Sequence, residues 1–350
     1  MGNHQPPSAL EGLGSMVTSL LAAAVMGQAA AQPTDLSRVF TKGETFRYQV
    51  RTELIIERKF PAFGEQTAVP ESQGLEFTSS LEIKEVKGGG FATAIYRRPF
   101  MTLVLGETAA EPERRQRINT NFNLQMDISP INEVTALKDL NPPARPARPG
   151  GGSMNQLNVM MPQEDPRASI GAFVEQFAGA LYQFAFGVSS IDDGIDLSPK
   201  LPYEPVVVGE MWKRTVGFAP QRSGTGGRVE NRRFDIEFTY AGPVQRNGRT
   251  MLLVNGLLKV DGDVAGFINQ DAGRGAADTG IREFALKMEA KIAFYLEPKT
   301  RHTVEADVTT QGSMRLVVTQ TATPLMEEKF SGSLRMRRLA NPTPSGRRGN

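Results

Sequence analysis

The sequence contains no cysteine, and His4 and His302 are its only two histidines. Without cysteine the chain can form no disulfide, no thiolate metal site, no cysteine nucleophile and no acylated-cysteine anchor. Two histidines are too few for a multi-histidine metal site. These absences remove several common kinds of catalytic and metal centre.

An excess of charge of one sign is missing as well. The chain has 40 Lys and Arg against 38 Asp and Glu, a formal net charge of +2, and the two signs are interspersed. Nucleic-acid binding needs a basic patch or stripe. The sequence therefore predicts no nucleic-acid partner.

No apolar run is long enough for a membrane-spanning helix, which needs about 20 residues. The run Val17–Met26 is short and is followed by Ala29-Ala30-Ala31, while no Lys or Arg precedes Arg38. The apolar run and the alanine-rich stretch that follows it are typical of a secretory signal, although the basic n-region is absent. We expect residues 1–31 to be a signal peptide or, alternatively, a disordered or helical tail. The signal-peptide interpretation predicts export to the periplasm or cell envelope, with no integral membrane span after its removal.

What the chain does contain is a repeated two-residue alternation of apolar and polar positions. After Ile281 every second residue is apolar, namely Phe284, Leu286, Met288, Ala290, Ile292, Phe294 and Leu296. This period is typical of a strand with one buried and one wet face. It recurs in further segments up to Leu339, joined by short turns, and so predicts an antiparallel meander.

The same alternation in the first half ends at a break rich in proline and glycine. Four prolines lie within Pro142–Pro149, and three glycines follow; such a composition favours an extended connector. We therefore predict a first β unit at 34–141 and a linker at 142–165. A helix with a second β unit is predicted at 166–339, and a disordered tail at 340–350.

One segment has the spacing of an amphipathic helix. Asp165 suits the N-cap, Pro166 the first helical position and Gly187 the C-terminal cap. Apolar residues recur between them at three- and four-residue spacing: Ile170, Phe173, Val174, Phe177, Leu181 and Phe184. The predicted fold class is mainly β, with curved antiparallel sheets in two related β units packed around this one long helix, about 166–186.

Two short motifs open the two predicted β units. The first comprises Lys42, Gly43, Glu44, Phe46, Arg47 and Tyr48, and the second Pro202, Pro205, Val206, Val208, Gly209, Glu210 and Trp212. Together they resemble a family of uncharacterised bacterial exported β-rich proteins, over most of residues 36–338. The resemblance implies a β-rich exported protein but supplies no catalytic residues. The expected architecture is also similar to that of periplasmic lipid or lipoprotein carriers.

A search for catalytic chemistry finds none. Gly187-Val188-Ser189-Ser190-Ile191 lacks the last glycine of a nucleophile elbow, and His302 is expected to pack on the buried face of a strand. The Asp192-Asp193-Asp196 and Asp261-Gly262-Asp263 clusters lack the spacing of a known calcium loop. We predict no catalytic residue, metal or cofactor, and hence no enzyme; a hydrolase would need a cleft where Asp, Glu, His or Ser converge.

Two functions remain open. The first is a non-enzymatic exported protein that binds an apolar ligand or lipid between sheet and helix, with Phe173, Phe177, Leu181, Phe184 and Trp212 as the hypothetical ligand-binding residues. The second is a structural module, or one that binds an envelope protein, in which the helix simply fills the core. An internal apolar cavity favours the first function. A filled core with an exposed patch or edge strand favours the second.

Overall fold

The computed structural model describes residues 32–64, 69–106, 113–141, 198–218, 232–265, 281–319 and 322–340. Over these residues the chain forms eleven β-strands and two short 3-10 helices, Pro61–Phe63 and Gly88–Gly90. The strands are β1 Thr45–Lys59, β2 Val69–Val86, β3 Ala92–Leu105, β4 Arg114–Ile128, β5 Val134–Asp139, β6 Met211–Phe218, β7 Arg232–Arg246, β8 Arg249–Asp263, β9 Ile281–Leu296, β10 Thr303–Val318 and β11 Met326–Leu339.

All eleven strands belong to one antiparallel sheet. Its order is β5-β4-β3-β2-β1-β11-β10-β9-β8-β7-β6. Strands β1–β5 form one meander and β6–β11 another, and the two meanders join where β1 pairs with β11 from Arg47 to Lys59. Among the described strands, β5 and β6 are therefore the two edges.

The predicted fold class is wrong in its arrangement. The described residues include no α-helix long enough to pack against a sheet, and the strands of both halves form one continuous sheet. Residues 166–186, where the helix was predicted, lie outside the described residues. A period in the sequence shows which face of a segment is apolar, but it does not show which other element will cover that face.

The alternation itself correctly identified the buried face of the strands. Along β9 the even-numbered residues from Phe284 to Leu296 are all buried. Buried residues of β1–β4 and β7–β11 belong to one hydrophobic cluster. We call the face that carries this cluster the inner face, and the opposite face the outer face.

The two motifs open β1 and β6 with the same hydrogen-bond pattern. Gly43 (φ 84°) and Gly209 (φ 88°) adopt a left-handed conformation that glycine reaches without steric cost. Gly43 donates its N–H to the carbonyl of Ile83 at 2.8 Å, and Gly209 donates to Tyr240 at 2.7 Å. In each copy the carbonyl of the next glutamate accepts the N–H of that same neighbour, at 2.9 and 3.0 Å. Both strands thus begin at matching points against their neighbours.

We call the end of the sheet at which β1 begins the upper end, and the opposite end the lower end. Two segments without regular structure, 32–44 and 198–209, cover the upper end. They bond to each other through the paired backbone groups of Thr34 and Val206, at 2.8 and 3.0 Å. Leu201 also donates its N–H to Ile131, in the turn between β4 and β5, at 3.0 Å. The upper end is therefore tied to both halves of the sheet.

Candidate functional site

Of the residues predicted to bind a ligand, Trp212 lies within the described part of the chain. It is half-buried on β6, its ring stacks on Phe238 at 5.7 Å between centroids, and its Nε1 donates to the carbonyl of Lys200 at 2.8 Å. These contacts anchor the 198–209 segment to the sheet. Phe173, Phe177, Leu181 and Phe184 lie outside the described residues, so their role stays a prediction.

A buried polar cluster lies beneath the upper-end segments. Arg38 Nε donates to His302 Nδ1 at 3.2 Å, and one of its terminal nitrogens lies 2.8 Å from the same atom. The other terminal nitrogen donates to Asn132 Oδ1 at 2.6 Å. All three residues are buried. The cluster joins the 32–44 segment to the β4–β5 turn and to the β9–β10 turn.

His302 is neutral and sealed from solvent, so its predicted burial is confirmed, although it lies in the β9–β10 turn and not within a strand. Burial, reinforced by the Arg38 charge, lowers the pKa of His302 from 6.5 to about 2. Its Nε2 lies 3.0 Å from the carbonyl of Val39, and Phe46 packs on its ring at 4.1 Å between centroids. Because Nδ1 accepts from Arg38, the ring proton belongs on Nε2. The cluster is a structural clasp that holds the 32–44 segment against the β4–β5 and β9–β10 turns.

A second feature lies lower on the inner face, on strands β2 to β4. Residues directly opposite each other on paired strands share a face. Phe77 pairs with Met101, and Met101 pairs with Ile118, so these side chains lie together. We define the inner wall as seven half-buried apolar residues of these strands: Leu75, Phe77, Met101, Leu103, Leu105, Ile118 and Phe122.

The inner wall contrasts with the upper part of the same face. Leu81, Ile83 and Met126, on the same strands but nearer the upper end, are 0–2 % exposed. Leu75, Phe77 and Phe122 pack against this core yet are only partly covered. The inner face of β2–β4 therefore changes from sealed core to partly exposed apolar surface towards the lower end.

Arg98 is a charged residue that lies between two aromatic side chains of the inner wall. It lies directly opposite Phe122, and its guanidinium carbon is 4.8 Å from the ring centroid of Phe77 and 4.5 Å from that of Phe122. Its Nε is buried without a hydrogen-bond partner. Among the described residues no carboxylate lies within ion-pair distance of Arg98.

Arg58, also on the inner face near the lower end, is in a different environment. Its Nε donates to Glu328 Oε2 at 2.8 Å, and a second nitrogen lies 3.8 Å from Glu71 Oε2. Burial raises the pKa of Glu328, and the charge of Arg58 opposes that rise. Arg58 is thus compensated by carboxylates of the protein itself.

The outer face carries a shallow groove of about 680 Å³ across β1 and β8–β11. Its charged lining residues are three lysines, Lys259, Lys287 and Lys329, and three acids, Glu57, Asp261 and Glu289. Lys259 lies 3.7 Å from Glu289, and Lys287 lies 3.8 Å from Asp261. Since the charges balance, the groove presents no field of one sign to a charged partner.

Two kinds of feature are absent from the described ranges. No group of three or more His, Asp or Glu side chains in those ranges is placed to hold a metal ion. No helix there is both long and apolar enough to cross a membrane.

Sequence reasoning missed both Arg98 and the inner wall. A signal for Arg98 was present, because Ala92, Ala94 and Tyr96 are the inward positions that precede it on β3, and the alternation puts an arginine at the next inward position. The inner wall could not be recognised from the alternation in the sequence, because β3 changes register between Arg98 and Phe100. An irregularity of this kind shifts which later residues face inward.

Comparison with known proteins gives no functional assignment. No protein-family model matches the chain, and no curated protein matches it. Solved structures that it resembles include DynF from the dynemicin biosynthesis pathway of Micromonospora chersina, at 6% identity and a TM-score of 0.23, covering 90% of this chain and 88% of that one. Another is OccK11 (OpdR) of Pseudomonas aeruginosa, at 7% identity and a TM-score of 0.18, covering 88% and 100%. At such low TM-scores neither likeness bears on the fold or the function.

Proposed function

We propose that this protein is a non-enzymatic exported carrier that holds an apolar ligand, such as a lipid chain, against the inner wall of its sheet. The observation that carries the proposal is the half-buried apolar surface of β2–β4, which continues directly from the sealed core. The side chains of this surface lie on the inner face, which also carries the hydrophobic core cluster.

The energetic argument concerns what covers this wall. Removing apolar surface from water contributes about 25 cal/mol per Å², so the partly exposed wall residues retain binding energy that folding has not used. A flexible alkyl chain can bind to these residues and gain this energy, because apolar contacts need no particular direction. Apolar side chains with a few polar groups among them are also the usual lining of a small-molecule site.

The non-enzymatic part of the proposal rests on the state of the titratable groups. His302, the one histidine of the described ranges, is neutral and inaccessible to a substrate. On the inner face near the wall, Glu328 is buried and ion-paired with Arg58. Neither group has the accessibility that a general base needs.

The experiment is a binding titration with a fluorescent long-chain probe, together with native mass spectrometry of protein purified from its own host. Phe122→Ser removes an aromatic ring from the inner wall, and we expect it to weaken probe binding by roughly ten-fold or more. Phe100→Ser is the matched control. Phe100 is also half-buried and lies on the neighbouring strand β3, but its side chain faces outward and packs against Arg117. If the wild type binds no long-chain probe and carries no lipid, the proposal is wrong.

A protein-binding envelope module is the second candidate, and the sheet edges favour it. Leu137 on β5 is 37% exposed and Met211 at the start of β6 is 71% exposed; apolar residues on an edge strand can receive a strand from another chain. If the protein is such a module, native mass spectrometry of protein purified from its own host should show a bound protein in place of a lipid. Met211→Lys would then abolish that association, whereas lipid binding would be unchanged by it.

The proposed export depends on residues 17–31, which lie outside the described residues. The test is the N-terminal sequence of the protein recovered from cell fractions of the host. Cleavage after the Ala29-Ala30-Ala31 stretch and recovery outside the cytoplasm would support it. An intact N-terminus in the cytoplasmic fraction would contradict it.

A further inference from the structure

We propose that Arg98 makes the inner wall selective for amphipathic anions, that is, for molecules with an apolar chain and a carboxylate or phosphate head. This inference rests on the proposed function, because it assigns the ligand class of the same site. The observation behind it is a guanidinium that stands among partly exposed apolar side chains and has no carboxylate partner in the described part of the chain.

The geometry leaves the hydrogen-bonding capacity of Arg98 available. The rings of Phe77 and Phe122 hold the cation through cation–π contacts at 4.8 and 4.5 Å. Such contacts satisfy none of the five N–H donors, which project in the plane of the guanidinium. The buried Nε makes no hydrogen bond, and a buried donor without an acceptor is a destabilising feature that calls for an explanation.

Two other arginines, Arg58 and Arg117, are in different environments. Arg58 shares the inner face, but Glu328 at 2.8 Å neutralises it. Arg117 stacks on Phe100 at 3.8 Å, yet it is exposed on the outer face, where water solvates its charge. Of these three, Arg98 is the one that combines an inner-face position with no carboxylate partner among the described residues.

An amphipathic anion satisfies both parts of the site at once. A carboxylate or phosphate oxygen accepts from the guanidinium edge in a charge-assisted hydrogen bond. The chain attached to it then runs along the wall residues around Arg98, such as Leu103 and Ile118. An anion without a chain gains only the first contact, and a neutral chain gains only the second.

The test compares probes of equal chain length and different heads: hexadecanoate, hexadecyl phosphate and hexadecanol, with inorganic phosphate as the chainless anion. We expect the two anionic probes to bind the wild-type protein about ten-fold or more tighter than the alcohol. Arg98→Gln should reduce this preference to about two-fold or less, with a larger loss of affinity for the anions than for the alcohol. Arg117→Gln is the matched control and should keep the full preference.

The outcomes separate the inference from the function on which it rests. If none of the three chain-bearing probes binds, the proposed function itself fails. If hexadecanol binds the wild type as tightly as the anions, or if Arg98→Gln retains the preference, the function stands and the role of Arg98 is wrong. Inorganic phosphate binding as tightly as hexadecyl phosphate would contradict the amphipathic class.

Two further measurements complete the test. Should Arg98→Gln fail to fold, as judged by circular dichroism, a wild-type ratio of anion to alcohol affinity near one still overturns the inference, and Arg98→Lys replaces Arg98→Gln in the comparison. The ratio of hexadecanoate to hexadecyl phosphate affinity distinguishes a carboxylate ligand from a phosphate ligand. Arg98→Lys keeps the charge without the planar fork and should retain part of the preference.

Discussion

At the scale of single residues, the buried clasp of Arg38, Asn132 and His302 shows how a charge is tolerated inside this protein. Arg38 is buried, and its donors reach His302 Nδ1 and Asn132 Oδ1. An arginine stays charged at any ordinary pH, so its neighbours must supply acceptors. His302 can do so only in its neutral form, and this requirement couples the fold to pH.

We predict that the free energy of unfolding falls with acidification because of His302. Its pKa is about 2 in the folded protein and near 6.5 when unfolded, so below pH 6.5 the unfolded chain binds a proton that the folded chain does not. Stability from this group is therefore complete above pH 6.5 and is lost as pH falls, by up to about 1.4 kcal/mol per pH unit. Urea unfolding between about pH 6.5 and about pH 4.5 measures the slope.

His302→Asn is the control for that slope. Asparagine keeps an acceptor for Arg38 but does not titrate, so the stability difference between wild type and variant should shrink as the pH falls. Carboxylates contribute equally to both proteins and cancel in the comparison. A difference that stays constant with pH would refute the role given to His302.

A second residue-scale prediction concerns Arg58 and Glu328. Arg58→Met leaves the Glu328 carboxylate buried without a cation, which raises its pKa further, and we expect destabilisation of about 3–5 kcal/mol near neutral pH. Since a raised carboxyl pKa favours folding at low pH, the penalty should diminish on acidification. Denaturant unfolding measures both effects. The double variant Arg58→Met/Glu328→Gln should recover part of the stability; no recovery would show that the arginine acts through packing alone.

At the scale of elements, the sheet depends on close approach between its central strands. Gly312 on β10 faces inward opposite Phe330 on β11, and the Phe330 ring lies over it. A side chain at this position would overlap that ring and approach the carbonyl of Lys287, in β9, to 2.5 Å. The absence of a side chain here lets three strands pack tightly.

We therefore predict that Gly312→Ala destabilises the protein by about 1–3 kcal/mol, through overpacking. Gly88→Ala is the matched control, because a Cβ at Gly88 meets nothing within 4 Å, and it should change stability by less than about 0.5 kcal/mol. Urea denaturation of the two variants gives the comparison. Equal stabilities would contradict the close approach between the strands.

The elements also show where sequence reasoning succeeds. Asn-Gly is a sequence signal for a two-residue hairpin turn, and Asn247-Gly248 forms such a turn between β7 and β8, with the positive φ values of 51° and 73° that it requires. The alternation in β9 was read correctly because every second side chain faces the same way. It could not be followed past the irregularity at Arg98 and Phe100 in β3, since that register shift depends on pairing with β4.

At the scale of the whole molecule, the pairing of β1 with β11 makes one sheet from two meanders. The residues it joins, such as Val50 and Met336, are nearly 290 positions apart in the chain, and both belong to the common core cluster. A shared core and a shared ladder imply that neither half can lose its structure independently.

We predict that the described sheet unfolds in a single transition. Trp212, the only tryptophan, reports on β6 at one edge, while far-ultraviolet circular dichroism reports on all strands. Leu54→Ala on β1, at a fully buried position, should cost about 2–5 kcal/mol and shift both signals together, whereas exposed Gln49→Ala should shift neither. If Leu54→Ala moves the circular dichroism but leaves the Trp212 transition in place, the halves unfold separately.

The sequence by itself determined the buried faces of the regular strands, such as β9, because a strand's side chains alternate at a period that the residues display directly. It also determined which chemistry is missing, since a chain without cysteine cannot have a cysteine site. Only the tertiary structure decided that the two meanders share one sheet, that Arg98 stands among apolar side chains with no carboxylate of the described residues beside it, and that the lower inner face is left partly exposed. These features depend on which strands pair and in what register, and contacts between residues far apart in the chain leave no period in the sequence.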